Sequence, residues 1–161
     1  MSDDELKAMS AAEQIATLRR LRQAAAAWLA GVTARLDHLA KLLHMARDKE
    51  FEVVTGKDTT AYPMMAFGGS GMFSVAANVI PKVMSQIAEL CLVGRLREAR
   101  ELHYKYYDLL AALRLETNPM AAKAALSVLG LPGSFVRPPL TDLSETNRGY
   151  LASLLKDAGL F

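Results

Sequence analysis

FEVVTGKDTTAYPMMAFGGSGMFSVAAN, residues 51–78, is the stretch on which the fold turns. Phe51 to Thr55 is short and rich in β-branched side chains, which suit a pleated strand. Gly56 ends that run, and Asp58, Thr59 and Thr60 supply cap candidates for a helix expected to continue through Phe67. Gly68 and Gly69 close the helix, and Met72 to Ala76 read as a second strand. Between the strands lie about a dozen residues, the crossover that a parallel pair demands. Strand, helix and parallel strand, with polar residues at the strand ends, is the unit of a parallel α/β barrel, whose chemistry sits at the C-terminal ends of its strands. A closed barrel takes eight such strands and typically about 250 residues, whereas this chain of 161 residues shows only two. The expectation is a mostly helical α/β protein: the C-terminal remnant of a (β/α)8 TIM barrel, followed by a helical domain.

Upstream, residues 1–50 hold no proline and a single glycine, Gly31. Ser10 and Glu13 spell a capping box, and Ile15, Leu18, Leu21 and Leu29 recur after it at near-helical spacing with arginines between them. This predicts a helix from about Ala11 to Ala30. Past Gly31, Leu36, Leu39, Leu43 and Ala46 share one face of a second helix that feeds into the first strand. Downstream, proline marks helix starts and glycine marks helix ends. Pro81 opens a helix that Gly94 closes, and Leu96 to Leu115 form another. Asn118 caps and Pro119 opens a third, stopped by Gly130, and a last helix is capped by Ser144 and ended by Gly159. LPGSFVRPPLTDL, residues 131–143, is a loop with three prolines. The chain thus divides into an N-terminal helical segment (1–50), the last barrel β/α units (51–94) and a C-terminal helical domain (95–161).

Composition narrows the function classes. Nineteen basic and 17 acidic residues leave a net charge of +2, with the basic residues spread along the helices, so no nucleic-acid footprint forms. Cys91, the one cysteine, lies in an apolar helical stretch and reads as a small buried hydrophobe in a reducing compartment. MSDDELK is acidic with no apolar core behind it, unlike a secretory signal. The apolar run from Ala24 to Val32 falls far short of the ~20 residues of a membrane span. A soluble, cytoplasmic protein is expected. His38, His44 and His103 have no metal-ligand spacing, so neither a metal nor a cofactor is expected. Tyr62, Tyr104, Tyr106, Tyr107 and Tyr150 all fall on predicted helices, where packing is their ordinary role.

Taken in order, these strings resemble the C-terminal part of the dihydrodipicolinate synthase and N-acetylneuraminate lyase family, the pyruvate-dependent class I aldolases. VVTGKD resembles the turn after the family's seventh strand, and GGSGMFSVAANVIPKVM its eighth strand and following helix. LETNPMAAKAALSVLGL, VRPPLTDLSETNR and KDAGLF resemble its C-terminal strings, and the likeness covers residues 51–161. The resemblance implies a barrel with a C-terminal helical domain, assembled as a homotetramer built from dimers, and a lyase activity in lysine biosynthesis. In such enzymes a lysine near the end of the sixth strand forms a Schiff base with pyruvate, and a tyrosine from an earlier strand relays protons. That lysine must be neutral near pH 7, which a partly buried barrel interior achieves by disfavouring the charge.

Set against that strand, Gly31 to Arg35 puts the lysine's place on or near Thr33, and a threonine cannot form an imine. The nearest lysines are Lys7 and Lys41, the latter on the polar side of a helix. The relay tyrosine and the carboxylate-binding hydroxyls belong to earlier strands without counterpart here, so the resemblance assigns no catalytic residue. It leaves a rim of substrate-binding candidates, Gly56, Asp58, Ser74 and Asn78, with Lys57 replacing the first acidic residue of the turn. Without the resemblance, Gly56 makes a turn and Asp58 caps a helix. Three functions stay open: a truncated or degenerate member of the family that is inactive alone, one chain of a split aldolase completed by a partner chain, and a non-catalytic helical interaction module. Open strand edges need cover from this chain, from a second copy in a homo-oligomer, or from that partner, and a pyruvate-type ligand is expected only in a completed barrel.

Overall fold

The computed structural model describes residues 11–132 and 135–161, which divide into two compact units between Lys49 and Glu50. Among the described residues, the first unit is one helix, α1 (Ala11–Ala46). The expected break at Gly31 does not occur. A glycine inside a helix costs roughly 0.5–1 kcal/mol against alanine, and here it is flanked by strong helix formers, Leu29, Ala30, Ala34 and Leu36, with no proline or polar cap to divert the chain. Gly31 to Arg35, set against a strand by the resemblance, is therefore mid-helix, and the Thr33 hydroxyl donates back to the Leu29 carbonyl at 2.9 Å. Ser10 of the capping box and Lys7 lie outside the described residues.

The second unit opens with β1 (Val54–Thr55) and β2 (Gly71–Met72), paired in parallel with Val54 opposite Gly71 and Thr55 opposite Met72. Both are shorter than the expected Phe51–Thr55 and Met72–Ala76. The ladder gains one backbone bond at each end, Ser70 N–H to the Val53 carbonyl and Phe73 N–H to that of Thr55, each 2.8 Å. Beyond Phe73 the Ser74 Oγ accepts the Ala77 N–H at 2.9 Å, which curls the chain into a 3₁₀ turn, Ala76–Asn78, instead of extending the strand. At the entry to β2 the backbone crowds: a Cβ on Gly69 would stand 2.9 Å from the Met64 carbonyl oxygen and 3.2 Å from that of Val53. Only glycine fits there.

The crossover begins with a 3₁₀ turn, Asp58–Thr60, followed by α2 (Ala61–Ala66). The expected caps are employed elsewhere. Thr60 Oγ1 donates to the Lys57 carbonyl (2.9 Å) and meets Thr55 Oγ1 (3.0 Å), and Asp58 reaches across to the second strand's exit. Among the described residues five helices follow: α3 (Pro81–Leu92), α4 (Leu96–Lys105), α5 (Tyr107–Ala112), α6 (Met120–Val128) and α7 (Glu145–Asp157). Pro81 opens α3, and Gly94 (φ +78°) and Gly159 (φ +69°) close α3 and α7 in the left-handed conformation that side chains resist. The single helix expected over Leu96–Leu115 breaks at Tyr106, where the backbone leaves helical geometry; Ala99 and His103 are buried before the break and Leu109, Leu110 and Leu113 after it.

Two more expected caps are corrected. Pro119 precedes α6 rather than opening it, and the Asn118 side chain makes no cap bond. Ser144 does precede α7, but its hydroxyl donates to Glu116 Oε1 (2.7 Å). The same oxygen accepts the Ser144 N–H (3.1 Å) and Asn147 Nδ2 (2.7 Å). These bonds favour the ionised form and hold the Glu116 carboxyl below its usual pKa.

Ile87, Leu110, Leu113, Leu151 and Leu155 are the largest fully buried apolar side chains, packed with the α6 alanines at positions 121, 124 and 125. Cys91 is buried on α3, as read from the sequence, and burial pushes its thiol pKa up. His103 is wholly enclosed, with the rings of Tyr62, Tyr104 and Tyr107 at centroid distances of 5.9, 6.0 and 5.8 Å. Neither ring nitrogen has a hydrogen bond of full geometry. Burial pushes its pKa down, and the Thr59 carbonyl opposes this more weakly.

Leu151→Ala is expected to lower the unfolding free energy by about 2–5 kcal/mol, while Leu92→Ala, at a side chain 65% exposed, stays within about 0.5 kcal/mol; urea unfolding measures both. His103 supplies a pH dependence. Its folded pKa lies below the unfolded value near 6.5, so the unfolded chain binds the proton more readily. Stability is then complete above pH 6.5 and declines as pH falls below it. In His103→Phe this part of the decline disappears, which urea midpoints between pH 5.5 and 7.5 would reveal.

Candidate functional site

The turn that ends β2 borders a cleft of about 500 Å³. Ser74, Val75 and Asn78 line one side, Asn118, Pro119, Ala122, Lys123 and Leu126 line the other, and Phe73 also contributes. Two of the four sequence-derived site residues, Ser74 and Asn78, thus share a cleft. Ser74 Oγ accepts from the Ala77 N–H (2.9 Å) and retains its own proton to donate. Asn78 Nδ2 donates to the Val75 carbonyl (3.0 Å), which fixes the amide and leaves its oxygen as an acceptor. Lys123 Nζ donates to the Phe135 carbonyl (2.6 Å). The wall therefore presents a hydroxyl, two amides and an ammonium beside an apolar surface, a composition suited to a small oxygenated anion.

Gly56 and Asp58 do not line this cleft. Gly56 is exposed, and no atom lies within 4 Å of where its Cβ would be, so sterics do not demand glycine there. Its turn is held instead by Thr55 Oγ1, which accepts the Lys57 N–H at 3.2 Å. Asp58 is 1% exposed and caps no helix, contrary to the reading from the residues alone. Its Oδ2 accepts the Ala76 N–H at 3.2 Å, and Oδ1 has no partner among the described residues. Asp58 thus stands behind the cleft, bracing the turn that carries Ser74 and Asn78.

Among the described lysines, 41, 49, 57, 82, 105 and 156 are exposed, and Lys123 is half-buried. No group of histidine, cysteine and carboxylate side chains among the described residues could hold a metal ion. Sequence reasoning missed Asn118 and Lys123. Both stand in the quoted string LETNPMAAKAALSVLGL, but only the return of α6 beside the exit of β2 makes them neighbours of Ser74.

The profile of the Dihydrodipicolinate synthetase family matches residues 8–158, reaching upstream of the residues 51–161 from which the resemblance was read. The 4-hydroxy-tetrahydrodipicolinate synthase of Methanocaldococcus jannaschii is 38% identical over 125 residues, 78% of this chain and 42% of that protein. That of Thermosipho africanus is 39% identical over 119 residues, 74% of this chain and 41% of its own length. Among solved structures, dihydrodipicolinate synthase from Thermotoga maritima superposes with a TM-score of 0.74 at 34% identity, over 78% of this chain and 43% of that one. The chloride-inhibited Acinetobacter baumannii enzyme complexed with pyruvate gives 0.71 at 37% identity, over 76% and 42%. The chain thus spans about two fifths of the length of these relatives, consistent with its two strands of a larger barrel. By the extent of the profile match, and by its superposition on about two fifths of each of these structures, the chain belongs to the dihydrodipicolinate synthetase family.

Proposed function

We propose that these 161 residues form the closing β/α units and C-terminal helices of a pyruvate-aldolase barrel and carry no complete active site of their own. The observation that carries this reading is the fate of Thr33. The resemblance sets the place of the Schiff-base lysine on or near Thr33, and Thr33 is an exposed residue in the middle of α1. Imine formation needs an amine kept neutral by burial or by neighbouring charge. Among the described lysines only Lys123 is even half-buried, and its amine is committed to the Phe135 carbonyl. The residues do retain a rim. Ser74 and Asn78 are the substrate-binding pair, Asp58 holds their turn in place from behind, and Gly56 borders the end of β1. Pyruvate, the ligand of the Acinetobacter baumannii relative, is the molecule this rim would meet in a completed barrel.

A second reading, a barrel completed by a partner chain bearing the lysine, draws on the sheet. β1 and β2 pair only with each other among the described residues, leaving one open edge apiece, and Phe51, Val54 and Phe73 beside them are 63%, 39% and 76% exposed. Work in the cytoplasm accords with the buried, unpaired Cys91. No helix among the described residues is long and apolar enough to cross a membrane.

Borohydride trapping with pyruvate, read by intact mass, tests the proposal. The purified chain is expected to gain no pyruvate adduct, and an adduct mapped to any of its lysines would overturn the reading. If a partner chain completes the barrel, the adduct appears on the partner's lysine, and Asn78→Ala in this chain reduces its yield.

A further inference from the structure

The fusion of two expected helices into α1 changes what its apolar residues can do. Ile15, Leu18, Leu29, Leu36, Leu39 and Leu43 lie on one line of alternating three- and four-residue steps, a seven-residue repeat that continues past Gly31 and has Arg22 and Ala25 at the two positions between Leu18 and Leu29. A straight helix has 3.6 residues per turn, so a stripe held to a 3.5 period stays on one side only when the helix supercoils left-handedly around another. Ile15, Leu18, Leu29 and Leu36 are between 44% and 59% exposed. A lone helix draws most of its stability from burying such a stripe, which calls for a companion helix with the same repeat.

We infer that α1 pairs with α1 of a second copy of this chain as an antiparallel two-stranded coiled coil. Arg22 sets the direction. It takes a seam position of the repeat, seven residues before Leu29. In a parallel pair each seam residue meets its own copy, and two guanidinium groups would face each other across the seam. In an antiparallel pair the facing residue numbers add to 61, so Leu18 meets Leu43, Ala25 meets Leu36 and Arg22 meets Leu39. The two Arg22 residues then stand 39 − 22 = 17 positions apart along the axis, about 26 Å at 1.5 Å per residue. The aliphatic stem of each arginine packs on Leu39 while its charge stays in water. Area is adequate as well. A helix of 36 residues is about 54 Å long, and a contact strip roughly 10–12 Å wide along it covers on the order of 600 Å² per copy, at the lower end of specific interfaces.

Sedimentation equilibrium of the full chain is expected to give twice the 17.5 kDa of one copy, and Leu29→Glu with Leu36→Glu to return it to one. Disulfide trapping reads the direction. In a Cys91→Ala background, a mixture of Leu18→Cys and Leu43→Cys chains should cross-link between the two kinds, whereas Leu18→Cys alone should not. A single-copy mass at every concentration overturns the pairing. A cross-link of Leu18→Cys to itself overturns the antiparallel direction. An assembly that survives both glutamates and forms no mixed cross-link places the interface elsewhere and overturns the inference too.

Discussion

The bond from the Ala76 N–H to the carboxylate of Asp58 is the constraint on which the second unit depends. Two strands of two residues each share too short a ladder to fix where the chain goes next. Asp58, at the exit of the first strand, grips the backbone at the exit of the second, 18 residues later, in a site closed to water. From Ala76 the constraint passes on, since its carbonyl accepts the N–H groups of Val79 and Ile80 and so directs the start of α3. A buried carboxylate is costly unless its oxygens are satisfied. One oxygen here has a backbone donor, and the other has no partner among the described residues.

How far the sequence reveals this architecture depends on whether each signal is local. The order strand, helix, strand is legible because β-branched residues, a glycine turn and a glycine pair act within a few positions of themselves. Proline and glycine likewise mark α3 and the end of α7. Cap assignments fail wherever a distant group outbids the local backbone: Asp58 is claimed by Ala76, and Ser144 by Glu116 from 28 residues upstream. Gly31 fails for the opposite reason, because the strong helix formers around it outweigh one flexible residue. The site is half legible by the same rule. Ser74 and Asn78 sit on one turn and can be read together, whereas Asn118 and Lys123 join them only through the return of α6, some forty residues on.

Glu116 does for the C-terminal helices what Asp58 does for the strands. A single carboxylate oxygen gathers the backbone and hydroxyl of Ser144 and the amide of Asn147, fastening the start of α7 to the segment just before α6. Between those ends, the alanines of α6 let the two helices approach closely enough for Leu151 and Leu155 to be fully buried.

The fully buried large apolar side chains, Ile87, Leu110, Leu113, Leu151 and Leu155, all come from helices or helix ends, and none comes from a strand. In a closed barrel, cohesion waits on the last strand finding the first, a search over the whole chain for one correct registration. Residues 50–161 gather their core by docking helices that are near neighbours in sequence. Contacts of short sequence separation form early because little loop entropy must be lost first. The cohesion of this unit therefore rests on helix packing rather than on strand pairing.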